Sequence, residues 1–296
     1  MNQSFDTGRW WLLVSKHWSE NRKKYTLSLI AIAGLMLLWF IIALVSEPYS
    51  GIHKETQMSA YYTGLFLVGC LYGSMLFSDL GSKTRGLNYL VVPASHLEKL
   101  LCALFYAVVV FFVFYNIIFY TLDFLMVKAG NTLAYSYWVK AHVAGSSFTP
   151  QEVLNVIYQK EGRGQYEPFT PFYILLLYFV LQSLFICGSV YFAKFSFIKT
   201  VISSLLIGLV IVFLTVKVVA HILPAGNYYH GITSYQVYTV KDAPEVKGIM
   251  IYSDPETDKL VSVPGWIGDV ILFVLKFAFA PLFWLAAYYR LKEKEI

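Results

Sequence analysis

Six apolar runs, each long enough to cross a bilayer and separated by polar stretches, leave this 296-residue chain little choice of fold. They fall at about 25–46, 58–79, 100–127, 171–193, 198–222 and 265–289, and about 20 apolar residues suffice to cross the hydrocarbon layer as a helix. Inside lipid every backbone N–H and C=O must be paired within its own segment or a closed barrel, and runs of this length are helical. Charged residues make up 14% of the chain and hydrophobic ones 57%, whereas ordinary soluble domains carry about 25% charged. The expected class is an all-α polytopic membrane protein with six transmembrane helices, folded as a single transmembrane domain over 1–296.

The positive-inside rule orients the spans. With both termini cytoplasmic, the short inner segments hold Arg9, Lys16, Arg22, Lys23, Lys24, Lys83, Arg85, Lys99, Lys194, Lys199, Arg290, Lys292 and Lys294. The much longer outer loops hold Lys54, Lys128, Lys140, Lys160, Arg163, Lys241, Lys247 and Lys259. The net charge of +5 is therefore spread over loops facing lipid and partners, and no nucleic-acid footprint follows from it. Ahead of the first span, residues 5–24 place Trp10, Trp11, Leu13, Val14 and Trp18 mostly on one helical side. Arg9, Lys16, Arg22, Lys23 and Lys24 are then available to lipid phosphates, which predicts an amphipathic interfacial helix over 1–24. That segment is too long, and the apolar run after it too complete, for a cleaved signal peptide.

Two outer segments are long enough to fold locally. In 128–170, Thr149-Pro150-Gln151-Glu152 offers an N-cap, a proline at the first helical position and an acidic third position, predicting a short helix that Gly162 ends. In 223–264 the runs Tyr235–Val240, Gly248–Tyr252 and Leu260–Val263 predict a small β-hairpin cap. Cys70, Cys102 and Cys187 lie within or at the edge of apolar runs and are read as buried packing residues. The six histidines show no paired ligand spacing, so neither a metal nor another cofactor is expected.

Polar residues at membrane depth are the candidates for function. Lys276 falls near the middle of the last run, where a lysine is charged roughly 2.5 to 3.5 kcal/mol for insertion. It calls for a translocation path or a buried ion pair, with Asp269 and Asp123 as the carboxylates in view; a snorkelling side chain or a structural pair is the plainer account. Lys217 and His221 lie near a span end, where snorkelling suffices. Asn116 and Gln182 are read as hydrogen-bonding residues between helices.

The stretch 80–99 lies between the second and third runs. It holds a basic turn with Lys83, Arg85 and Gly86, an apolar stretch with Leu87 and Leu90, the corner Pro93-Ala94-Ser95, and Glu98-Lys99 leading into the third span. Pro93 stops one element, Ser95 caps the next, and Glu98 stands at the third helical position that a capping box requires. In that order the segment resembles the cytoplasmic coupling segment of ABC-2 type transporter permeases, although many relatives carry a glutamate where this chain has Lys83 and Arg85. The resemblance implies a cytoplasmic coupling helix docking a separate ABC ATPase subunit, a second permease copy or homologue forming a dimer, and outward movement of an amphipathic substrate across a bacterial inner membrane. It gives Lys83, Arg85, Gly86, Leu87, Leu90, Pro93, Ser95, Glu98 and Lys99 the ATPase-coupling role.

The chain has no G-x-x-x-x-G-K-[ST] loop and none of G-x-S-x-G, H-E-x-x-H or paired membrane carboxylates, so it is not expected to be an enzyme in its own right. The alternative expectation is a non-transporting membrane scaffold or sensor of similar fold.

Overall fold

The computed structural model describes residues 5–81, 86, 91–141, 148–154, 171–192, 194–222, 273–274 and 276–294. Every extended regular element among them is helical: α1 (Thr7–Ser46), α2 (Lys54–Met75), a 3-10 turn (Ser78–Gly81), α3 (His96–Leu104), a π-helical segment (Phe105–Val110), α4 (Phe111–Ala141), α5 (Pro171–Tyr191), α6 (Ser196–Ile222) and α7 (Phe279–Lys294). Four helical stretches are long and apolar enough to cross a membrane: Thr7–Ser46, His96–Ala141, Phe172–Tyr191 and Ser196–Leu214. The second run is helical as expected, but tyrosines, glycines and serines lower its mean hydropathy. Residues 223–264, with the expected hairpin, lie outside the described residues.

The chain divides into two compact units, 1–200 with 282–296, and 201–281. In the first, α1 and the composite α3–π–α4 run side by side in the same direction. Arg9 meets Glu98 at one end, the Phe40 and Phe119 rings are 6.2 Å apart, and Leu44 packs against Gly130 at the other end. At 1.5 Å per residue this shared length is about 50 Å. α2 runs against α4, with Tyr61 on Phe119 at 4.8 Å and Tyr72 stacked on Phe111 at 5.5 Å. α5 runs along α2, Phe66 touching Tyr178 and Gly73 lying beside Gln182 and Ile186. Helices consecutive in the sequence thus alternate in direction, and the side-by-side pairs α1 with α4 and α2 with α5 are parallel.

Close approach of α2 to its neighbours depends on glycine. A Cβ at Gly64 would stand 2.6 Å from the Tyr115 hydroxyl, and one at Gly69 2.5 Å from that of Tyr178. Small residues at such crossings let helix backbones close up where lipid supplies no hydrophobic drive. The buried stripe of α4, Phe111, Tyr115, Phe119, Asp123 and Val127, repeats every fourth residue and packs with Phe40, Tyr61 and Leu65 in the main core. A second core joins Phe77, Leu100 and Ala103 to Ile186, Val190, Ala287 and Leu291. The start of α1 and the end of α7 therefore gather at the same end of this unit.

In two places the structure departs from expectation. The expected interfacial helix over 1–24 is not separate from the first span: Thr7–Ser46 is one 40-residue helix. The Arg22-Lys23-Lys24 cluster marks a change in solvent preference, and none of these residues interrupts helical φ and ψ. Residues 148–154 are irregular where a helix was expected to begin, because side chains of distant residues take their backbone groups, as the geometry at the outer end shows.

The second unit contains the body of α6, which exposes apolar side chains on all sides from Ile202 to Leu214. Lys217 lies over the Phe213 ring one turn before it, 5.7 Å from the centroid.

Candidate functional site

The end of the bundle that gathers α1, α3 and α7 is organised by one carboxylate. Ser95 caps α3, its hydroxyl accepting from the Glu98 N–H at 3.2 Å, while Glu98 Oε2 accepts from the Ser95 N–H at 2.8 Å. This is the capping box that the sequence placed there. Glu98 Oε1 reaches further, accepting from the Asp6 N–H at 2.8 Å and from Arg9 Nη2 at 3.0 Å. Asp6 in turn caps α1, its carboxylate accepting from Gly8 and Arg9 N–H. The Glu98 side chain is fully buried, so one carboxylate ties the first turn of α1 to the first turn of α3.

Glu98 precedes the apolar run that begins at residue 100. Burial there raises its pKa, but the N–H groups of Asp6 and Ser95 and the Arg9 guanidinium outweigh burial and hold the carboxyl below its ordinary 4.5. Glu98 and Lys99, read from sequence as part of a partner-facing segment, are both buried. Pro93 and Val91 remain exposed, Ser95 is half-buried, and Gly86 is buried and helical. Lys83, Arg85, Leu87 and Leu90 lie outside the described residues.

Behind this node is a polar aromatic cluster. Tyr106, in the π segment, donates to the Val14 carbonyl at 2.8 Å and stacks on Tyr25 at 5.6 Å, while His17 Nε2 meets the Tyr25 hydroxyl at 2.5 Å. The π segment also presents the Ala107 carbonyl, which accepts from Gln182 Nε2 at 2.7 Å. A π turn leaves carbonyls out of the regular i to i+4 ladder, and here an amide from α5 takes one. Asn116 accepts from Tyr61 across the α2–α4 contact at 3.0 Å. Both amides bond between helices, as expected.

At the opposite end, Gln57 is fully buried. It donates to the carbonyls of Ile52 and Glu152, each at 3.1 Å, and accepts from the Leu154 N–H at 2.8 Å. Asn131 pairs with Gln151 in both directions, at 2.8 and 2.9 Å. Those bonds take the carbonyls of Gln151 and Glu152 and the N–H of Leu154, which a helix over these residues would need for its own ladder. Asp123 faces the core nearby and is fully buried; among the described residues neither of its oxygens accepts a hydrogen bond. Lys276 is half-buried in the second unit, and Asp269 lies outside the described residues.

The sequence reading missed Gln57, Asn131 and the pairing of Asp6 and Arg9 with Glu98. Gln57 at the edge of an apolar run was the available signal. Comparison with family models, with curated proteins and with solved structures returned no match to this chain.

Proposed function

We propose that the chain is the membrane-spanning permease subunit of an ABC-2 type exporter, with six spans and both termini on the cytoplasmic side of a bacterial inner membrane. ATP is hydrolysed on a separate subunit that docks against the segment 80–99. Two permeases, identical or homologous, form the dimer, and closure of the ATPases rocks them to move an amphipathic substrate outward. The observation that carries this reading is the order of residues from Lys83 to Lys99. The Ser95–Glu98 capping box supports it by fixing the start of the third long helix directly after that segment. Through Glu98 a push on the segment reaches α1 and α3 together.

The test is retention of the ATPase by tagged variants. Leu87→Asp or Leu90→Asp places a charge in an apolar contact, a loss of about 3 kcal/mol or more where the charge is buried unpaired. Pull-down then fails while thermal stability of the membrane domain is unchanged. Wild-type retention by both variants sinks the coupling assignment. A second reading, a non-transporting scaffold or sensor, draws on the burial of Glu98 and Lys99 within the chain; it predicts that no ATPase co-purifies.

A further inference from the structure

The first half of α1 presents a face that the rest of the described chain does not cover. Phe5, Trp11, Leu12 and Trp18 are 44%, 62%, 70% and 41% exposed, and Ser15, Lys16, Ser19, Arg22 and Lys23 are exposed among them. At about 100° per residue these form two adjoining stripes. Trp11, Trp18 and Arg22 make one, with steps of seven and four; Leu12, Lys16, Ser19 and Lys23 make the other, with steps of four, three and four. The opposite face is fixed by Trp10 on Phe105, Val14 under Tyr106 and His17 on Tyr106. Arg9, read from sequence as free for lipid phosphates, is committed to Glu98. Of the carboxylates in this stretch, Asp6 caps the helix start and Glu20 reaches Lys16 at 3.8 Å, the Lys16 and Glu20 side chains both more than half exposed.

We infer that Lys16, Arg22 and Lys23, with Trp11, Leu12 and Trp18 between them, form a binding face for anionic phospholipid headgroups, selecting them over zwitterionic ones. This rests on the membrane reading and deepens it by naming the lipid class and the residues. Interdigitated indoles and cations match the headgroup boundary, where aromatic rings sit and cations meet phosphate. The face is also continuous with the membrane, because the same helix runs unbroken into an apolar span. A soluble acidic partner would not require two exposed tryptophans and a leucine beside the charges, whereas a purely apolar contact would exclude the cations. Because the Glu98 node fixes the rotation of α1, a lipid held here also bears on the start of α3.

The experiment is native mass spectrometry and thermal-shift titration of the full chain in detergent, with dioleoyl-phosphatidylglycerol, dioleoyl-phosphatidylcholine and inorganic phosphate as separate probes. Phosphatidylglycerol stays bound and raises the melting temperature, while the other two do so weakly or not at all. Each cation near an anionic surface contributes about five-fold, so K16Q/R22Q/K23Q lowers apparent affinity for phosphatidylglycerol on the order of a hundred-fold. A K54Q/K128Q control at the other end leaves it unchanged. W11A/W18A weakens binding of both lipids while keeping the preference for the anionic one. Equal binding of the two lipids, protection by inorganic phosphate, or an unchanged preference in the triple variant overturns the inference. None of these outcomes bears on ATPase retention, so the lipid face and the permease reading fail separately.

Discussion

Replacing Glu98 by alanine removes the acceptor for three donors at once. The Asp6 and Ser95 N–H groups lose bonds of 2.8 Å each and Arg9 one of 3.0 Å. Hydrogen bonds to a charged group contribute about 1.5 to 3 kcal/mol each, and removing one partner of a buried pair typically costs about 3 to 5 kcal/mol. Arg9 is 38% exposed and regains water when its partner is lost, which places the total near the lower figure, about 3 kcal/mol. Glu98→Gln keeps an oxygen for one N–H but turns an NH2 group toward the others, so it falls between wild type and alanine. The assay is the unfolding midpoint of the purified chain in mixed micelles, with Arg9→Met and the double variant completing a cycle whose coupling is about 1 kcal/mol. A Glu98→Ala midpoint within about 0.5 kcal/mol of wild type, or no coupling, would falsify the view that this carboxylate joins the two helices. The pH dependence has a definite sign. The folded pKa is lowered, so the stabilisation is fully present above 4.5 and is lost as pH falls through the folded value. Wild type therefore weakens relative to Glu98→Gln only on the acid side of that range.

At the opposite end, Gln57→Ala strips three hydrogen bonds from a fully buried site. It destabilises by about 2 to 4 kcal/mol, and the backbone amide of Leu154 exchanges faster in hydrogen exchange. Gly69→Ala drives a methyl into the Tyr178 ring, with atoms at 2.5 and 2.6 Å. The loss is about 1 to 3 kcal/mol in thermal unfolding, and a smaller side chain at 178 relieves it. If transport is measurable, Lys276→Met impairs it more than Lys217→Met; equal, negligible losses return Lys276 to a structural role.

What the sequence discloses here is what local chemistry decides. The apolar runs announce helices because lipid admits little else, and the Ser95–Glu98 box is legible because both partners lie within one turn. Residues 149–152 carry equally good local signals for a helix start, yet Gln57 and Asn131 override them from up to 97 residues away. No pattern in the segment itself registers that competition. The continuity of α1 was missed because the basic cluster at 22–24 looks like an ending, although a change of surroundings does not bend a backbone. Arg9 reads as one more basic residue until folding sets it against Glu98, 89 positions on. The close seats of Gly64 and Gly69 depend on where tyrosines of other helices arrive.

The side-by-side run of α1 and the α3–π–α4 composite is, mechanically, a stiff beam. Its ends are about 50 Å apart at the helical rise, well beyond the hydrocarbon thickness of about 30 Å. A beam of that span converts angle into distance: a rocking of about 5° about its midpoint carries each end roughly 2 Å, in opposite directions. At one end that displacement falls on the Asp6–Glu98–Arg9 node, and at the other on the contacts of Leu44 with Gly130. A displacement at the Glu98 node is thereby matched by an opposite one at the contact of Leu44 with Gly130, without any helix having to unwind.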